Sequence, residues 1–204
     1  MEWFARQFNV SRETMGRLRS YVDLLDKWNR RINLVGAASA SEIWSRHISD
    51  CAQIVNLAPE RVKTWYDIGS GAGLPGIVIA ILWRESNPAG RVTLVDSDGR
   101  KIAFLTEVAR ALVLNTDIVC DRIEHLTLEP PDIVSARALA PLDKLLTLCA
   151  PLAGEHTTLL LHKGRNVHDE LTQARKYWHI DAETVPSLVD QESTILKIGR
   201  FQRT

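Results

Sequence analysis

The sequence predicts an α/β protein, a mostly parallel, doubly wound sheet that closes on an antiparallel strand and is preceded by a helical extension. Three observations carry this. From Thr64 onward, short strand-like runs alternate with helix-like segments, the pattern of parallel strands joined by crossover helices. Residues 182–189 and 193–200 instead read as two strands separated only by Asp190-Gln191-Glu192, and so tight a turn joins antiparallel strands. Residues 1–63 show helical periodicity alone. The expected division is therefore a helical extension over 1–63 and one compact α/β unit over 64–204.

Element by element, Ser11 is a plausible N-cap, followed by Met15, Leu18, Val22 and Leu25 at helical spacing. After a polar, small-residue break from Gly36 to Ser41, Ser41 can cap a second helix with Trp44, Ile48, Cys51 and Val55 on one face; Ala58-Pro59 ends it. Strands are predicted at 64–68, 91–95, 116–120, 132–135 and 157–162, with helices at 76–84, 99–113, 141–151 and 165–178. The terminal pair raises the sheet to seven strands.

Composition excludes several classes. The 25 basic and 25 acidic residues cancel, so any nucleic-acid surface must be local. Cys51, Cys120 and Cys149 form no CxxC pair, which supports neither a zinc site nor a disulfide framework. The longest apolar run, Ile77 to Trp83, is far too short to span a bilayer, and the first residues do not read as a signal peptide. A cytoplasmic protein with no membrane association and no metal is expected.

The segment Asp67-Ile68-Gly69-Ser70-Gly71-Ala72-Gly73-Leu74-Pro75-Gly76 joins a strand to a helix through a glycine turn, a geometry that brings backbone against an adenosine-bearing cofactor. It satisfies two patterns. Gly69-x-Gly71-x-Gly73 after an acidic strand end suits S-adenosylmethionine (SAM), whereas Gly71-x-Gly73-x-x-Gly76 is the dinucleotide fingerprint. Asp96, at the end of the second strand and 20 residues beyond Gly76, can accept from both ribose hydroxyls in either case. Asp98 could substitute, and Asp96 could alternatively cap the following helix. After the third strand, Ile123 and Glu124 are candidates to meet an adenine ring and its edge, with an ordinary solvated loop as the alternative.

The fourth strand ends in Val134-Ser135-Ala136-Arg137-Ala138-Leu139-Ala140-Pro141. It lacks the Asn/Asp-Pro-Pro-aromatic motif that holds an exocyclic amino group and the Pro-Cys nucleophile that attacks pyrimidines. Arg137 is the lone cation there, a candidate functional group or a surface ion-pair partner. Residues 1–66 carry ten basic and seven acidic side chains, including Lys27-Trp28-Asn29-Arg30-Arg31 and Arg46-His47. Basic residues beside an aromatic suit structured RNA, although Trp28 can equally be core and the arginines solvated. His47 and Asp50 stand one helical turn apart and could hydrogen-bond. Lys163-Gly164 places another cation at a strand's carboxyl end.

Taken together these strings resemble the rRNA small subunit methyltransferase G family, also called glucose-inhibited division protein B. The resemblance rests on Lys27-Trp28-Asn29 with Asn33-Leu34, Arg46-His47-Ile48 with Asp50, and Asp67 through Gly76 with its Leu74-Pro75-Gly76 end. It continues through Leu94-Val95-Asp96-Ser97, Lys101, Phe104-Leu105, Arg122-Ile123-Glu124, Ser135-Ala136-Arg137-Ala138 and Lys163-Gly164. It implies a Rossmann-like class I SAM-dependent methyltransferase that modifies N7 of a guanine in 16S rRNA, acting as a monomer on the small ribosomal subunit or an assembly intermediate. It also implies SAM contacts at Gly69, Leu74, Ile123, Glu124 and Arg137; the physical argument adds Asp67, Gly71, Gly73 and Asp96. Lys27, Arg30, Arg31, Arg46 and Lys163 are expected to dock RNA. Cys51 and Asp98 depart from the pattern expected for the family.

Guanine N7 has an in-plane lone pair and no proton, so no general base is required and no catalytic residue is assigned beyond Arg137, which should hold the SAM carboxylate, guanine O6 or a phosphate. Three other readings compete: a NAD-linked oxidoreductase, for which no paired Tyr/Lys hydride-transfer site is found, an RNA-binding module without activity, and methylation of a small molecule.

Overall fold

The computed structural model describes residues 2–36 and 42–204. Helix α1 (Glu2–Gln7) leads into α2 (Arg12–Ile32), which starts where the sequence predicts: Ser11 Oγ accepts from Thr14 N at 3.1 Å. Asn33, in the left-handed region at φ 48°, ends it. The buried stripe is Met15, Leu18, Val22 and Leu25, joined by Thr14 and Tyr21. The second predicted helix is a composite: a π-helical turn (Ile43–Ile48), the short α3 (Ser49–Ala52) and a 3₁₀ turn (Gln53–Leu57). Its predicted cap, Ser41, lies outside the described residues.

Strands β1 (Thr64–Ile68), β2 (Arg91–Asp96), β3 (Thr116–Cys120), β4 (Ile133–Arg137) and β5 (Thr158–Lys163) alternate with α4 (Gly76–Ser86), α5 (Gly99–Leu112), α6 (Leu142–Cys149) and α7 (Val167–Ala174). β6 (Trp178–Pro186) and β7 (Thr194–Arg203) complete a seven-stranded sheet in the order β3-β2-β1-β4-β5-β7-β6. β1 to β5 pair in parallel, and β7 lies antiparallel between β5 and β6. The first hairpin strand begins at Trp178 rather than residue 182, and α7 is correspondingly shorter than predicted. Trp178 is buried against Phe201 across the hairpin, ring centroids 5.8 Å apart, and that packing extends the strand backwards.

Each face of the sheet carries its own core. On one face α2, α4 and α5 bury Leu18, Leu25, Ile77, Phe104 and Trp65; on the other, α6 and α7 cover Ile68, Val134, Leu146 and Leu161. α4 is buried from Gly76 to Trp83, as expected of a helix apolar all round, because α2 lies over it. Glu85 Oε2 ties the two by accepting from Ser11 Oγ and Thr14 Oγ1 at 2.8 and 2.6 Å. The carboxyl ends of β1, β2, β4 and β5 thus gather on one edge of the sheet, where ligands bind in open α/β folds.

Candidate cofactor cleft and adjoining recess

The glycine turn is held from behind. Asp67, fully buried in β1, accepts from Gly76 N at 3.1 Å through one carboxylate oxygen and from Ser135 Oγ at 2.7 Å through the other. Burial pushes its carboxyl up to about 6. It closes the turn from behind and is not among the residues that line the cleft in front of it. Ser70 pins the turn to β2, donating its N–H to Val95 O (2.9 Å) while its Oγ accepts from Val95 N (3.1 Å). Tyr21 of α2 braces it by donating its hydroxyl to Ala72 O at 2.6 Å.

The glycines divide into two sorts. A Cβ on Gly73 would stand 2.4 Å from Ile77 Cγ1, and one on Gly76 2.3 Å from Leu94 Cδ2, so these two allow α4 to sit close against the sheet. Gly71, at φ 55°, would meet only Gly69 O, at 3.8 Å. Its outer side is open to a ligand. Leu74 is buried and, like Gly73, faces packing rather than the cleft.

In front of the turn lies a cleft of about 410 Å³ lined by Gly69, Asp96, Lys101, Ile123, Glu124 and Leu139, among others. Asp96 Oδ2 accepts from Gly71 N and Oδ1 from Asp98 N, both at 2.9 Å, with Lys101 Nζ 3.7 Å away. Each carboxylate oxygen keeps a second lone pair, enough for a ribose diol. Asp98 is the helix cap instead: it accepts from Arg100 N and pairs with the Arg100 guanidinium at 2.8 Å, which holds its carboxyl well below the usual range. Ile123, buried in a 3₁₀ turn, offers an apolar surface beside the exposed Glu124. A diol-accepting carboxylate, an open glycine and a flat apolar residue together fit an adenosine-bearing cofactor.

Arg137 turns the other way. Strand alternation puts it on the face of the sheet that meets residues 46–51. There its guanidinium donates to His47 Nδ1 at 2.7 Å, Arg46 O at 3.5 Å and Cys51 Sγ at 3.4 Å. The expected His47–Asp50 pair is not formed, because the π-helical turn swings His47 onto Arg137 while Asp50 points to Gln53 and Ser187. Burial and the neighbouring Arg137 hold His47 below the ordinary histidine range. Burial pushes the Cys51 thiol up to about 12, so it stays protonated beside the guanidinium.

Arg137 lines a second recess of about 300 Å³ with Asp50, His162, Lys163 and Ser193. Ala138 and Ala140 border both spaces, so the two adjoin through the loop after β4. Ala138 sits at φ 52°, a left-handed conformation that a non-glycine residue adopts at some cost in a loop shaped for another purpose. Lys163, expected to dock RNA, is only 9% exposed; its Nζ is 2.6 Å from Glu170 Oε2 and donates to Ala140 O at 3.1 Å. Its charge serves the loop. Lys27, Arg30 and Arg31 are exposed on the last turns of α2, and Arg46 is exposed on the π turn. Trp28 packs on Phe104 with centroids 5.8 Å apart, which makes it core.

Sequence reasoning missed Leu139 and Lys144 in the cleft, Glu170 under Lys163, and Gln53, Ser187 and His162 around Asp50. The small-residue run 138–140 carried a signal for its own segment; His162 and Ser187 carried none, since they lie 112 and 137 residues from Asp50. Among the described residues no group of three potential metal ligands comes together, and no helix is long and apolar enough to cross a membrane.

The strand order, the antiparallel β7 and a cleft built on a glycine turn with Asp96 define a class I SAM-dependent methyltransferase. A SAM-dependent methyltransferase from Aquifex aeolicus superposes with a TM-score of 0.60 at 15% identity, over 77% of this chain and 92% of that one. The sequence profile of rRNA small subunit methyltransferase G (GidB) matches residues 14–196. Ribosomal RNA small subunit methyltransferase G of Parvibaculum lavamentivorans is 50% identical over 97% of this chain and 88% of its own length. That of Cereibacter sphaeroides strain ATCC 17025 is 45% identical over 95% and 93%. The chain belongs to the rRNA small subunit methyltransferase G family.

Proposed function

We propose that this protein transfers a methyl group from SAM to N7 of a specific guanine in 16S rRNA, working in the cytoplasm as a monomer on the small ribosomal subunit or a precursor of it. The observation that carries the reading is the 410 Å³ cleft, where Gly69 and the carboxylate of Asp96, itself bonded to Gly71 N, stand beside Ile123 and Glu124. In this reading Asp96 accepts from the ribose hydroxyls, Ile123 packs on the adenine and Glu124 meets its edge. Asp67, Gly73 and Leu74 act at one remove, by shaping the turn that carries Gly69 and Gly71.

Bound SAM supplies an electrophilic methyl on a sulfonium. The residues of this chain then have one task, to hold the base in line with that methyl, and orientation of this kind can lower a barrier by ~7–11 kcal/mol. No proton leaves N7, so the transfer requires no general base. Arg137, fixed by His47, Arg46 and Cys51, joins the sheet to the helical segment and supports the wall between the two spaces. We further propose that residues 1–63 and 64–204 act as one unit, and that Lys27, Arg30, Arg31 and Arg46 meet RNA phosphates.

The test is incubation with labelled SAM and small subunits lacking the modification, followed by chain cleavage at 7-methylguanine. One labelled guanine in 16S rRNA is expected. Label at another atom or in another molecule overturns the reading. Arg137→Ala should lower the rate, and unchanged SAM affinity together with an unchanged rate would remove Arg137 from the site.

A further inference from the structure

The recess beside the cofactor cleft contains a carboxylate whose hydrogen bonding is half complete. Asp50 is 4% exposed. Its Oδ1 accepts from Gln53 Nε2 at 2.7 Å and Ser187 Oγ at 2.9 Å, and its backbone carbonyl accepts from His162 Nε2 at 3.0 Å. Its Oδ2 accepts no hydrogen bond among the described residues; His162 Nε2 and Arg137 Nε stand at 3.7 and 3.8 Å. A carboxylate anchored through one oxygen and lining the recess is placed to take a donor that arrives from outside through the other.

We infer that this recess receives the guanine to be methylated, and that Asp50 Oδ2 accepts from its N1–H and 2-amino groups. The inference rests on the guanine reading above and assigns its recognition. Three arguments support it. First, the recess adjoins the cofactor cleft across Ala138 and Ala140, and N7 lies on the opposite edge of the purine from N1–H and the 2-amino group. A base whose far edge meets Asp50 therefore points N7 back toward the cleft. Second, a carboxylate can accept from guanine's Watson–Crick edge, whereas adenine presents an acceptor at N1 and no 2-amino group, so Asp50 would repel it. A space of about 300 Å³ suits one extruded or unpaired base rather than a base pair. Third, the contact strengthens as the reaction proceeds. The N7 lone pair forms the new C–N bond, the C–S bond breaks with its electron pair going to sulfur, and no proton moves. The guanine becomes cationic, so its N1–H and 2-amino groups become better donors to Asp50. Interactions that tighten toward the transition state are the ones that accelerate chemistry.

Small subunits carrying inosine in place of the mapped guanine test this, because inosine keeps N7 and N1–H but lacks the 2-amino group. Wild-type protein should prefer guanine over inosine in kcat/KM by about 10- to 100-fold, as expected when a buried acceptor loses its donor. Asp50→Asn should lose rate on guanine and shrink the preference to within about threefold, with SAM affinity measured by calorimetry unchanged. If Asp50→Asn slows both substrates equally and keeps the wild-type preference, Asp50 is only a structural link and the inference falls. A wild-type protein indifferent to the 2-amino group overturns it without recourse to any variant. Failure of the wild type to methylate guanine at all would overturn the proposed function itself, an outcome distinct from either.

Discussion

Replacing Lys163 by Met separates a structural cation from an RNA-docking one. Lys163 Nζ sits 2.6 Å from Glu170 Oε2, with the two side chains 6% and 25% exposed, and also donates to Ala140 O. Removing one partner of a buried ion pair costs about 3–5 kcal/mol because the other charge is left uncompensated. Glu170 is a quarter exposed and keeps its bond from Leu142 N at 2.7 Å, so a loss of ~2–3 kcal/mol is the appropriate expectation. Lys163→Met with Glu170→Gln should recover most of it, since the uncharged amide still accepts from Leu142 N while no charge is stranded. Urea unfolding measures both, and the slope against urea should stay constant if only stability changes. The single variant should also weaken SAM binding, because Ala140 belongs to the wall of the cleft. A cost below ~0.5 kcal/mol, together with a salt dependence of RNA binding weakened by the equivalent of about one phosphate, would refute this reasoning and return Lys163 to the RNA surface.

Asp96→Asn removes the charged acceptor offered to the ribose and should raise the dissociation constant for SAM by about 10- to 100-fold, on the scale of hydrogen bonds to charged groups; an unchanged calorimetric affinity would place the ribose elsewhere. Tyr21→Phe leaves Ala72 O without its donor and should cost about 1–3 kcal/mol in urea unfolding. The Asp67 carboxyl is raised to about 6 in the fold from an ordinary value of 3.8, so the native state binds the extra proton. Wild-type stability should therefore rise relative to Asp67→Asn as pH falls from about 6 toward 3.8 and level off below, followed by unfolding at each pH. His47 is shifted downward, which works oppositely: its contribution is intact above its unfolded value of about 6.5 and is lost as pH falls below it. Charge removal at Lys27, Arg31 and Arg46 together should lower the slope of log affinity for RNA against log salt by roughly 0.7–0.9 for each phosphate no longer neutralised, and an unchanged slope would put the docking surface elsewhere.

The sheet was legible because its signals are local. Alternating short strands and helices marked five parallel strands, and the short link at 190–192 marked the antiparallel end. Asp96 was legible for the same reason: a strand end at a fixed remove from a glycine turn. The part Asp67 plays in the turn was not legible, because an acid at a strand end can serve either the ligand or the turn itself, and its bonds from Gly76 and Ser135 depend on the fold. Lys163 and Arg137 both stand at carboxyl ends of strands, where the topology predicts ligand contact, and both line the recess, yet each is also held by a partner from another element, Glu170 in one case and the 46–51 segment in the other. For Arg137, strand alternation was available in the sequence; the π-helical turn that brings His47 to it was not.

Asp50 shows why the second space could not be read beforehand. Its hydrogen-bond partners Gln53, His162 and Ser187 come from α3's continuation, β5 and the β6–β7 link, the last two lying 112 and 137 residues away. The helical segment before the sheet is thus more than a cover for the apolar face of α4. It supplies Tyr21 to the glycine turn and Asp50 to the recess, while its Arg46, His47 and Cys51 fix the arginine of β4. In a reaction that moves positive charge from a sulfonium to a base, carboxylates are wanted on both sides of the methyl. Here Asp96 and Glu124 stand in the cleft and Asp50 in the recess, divided by the loop that Lys163 holds.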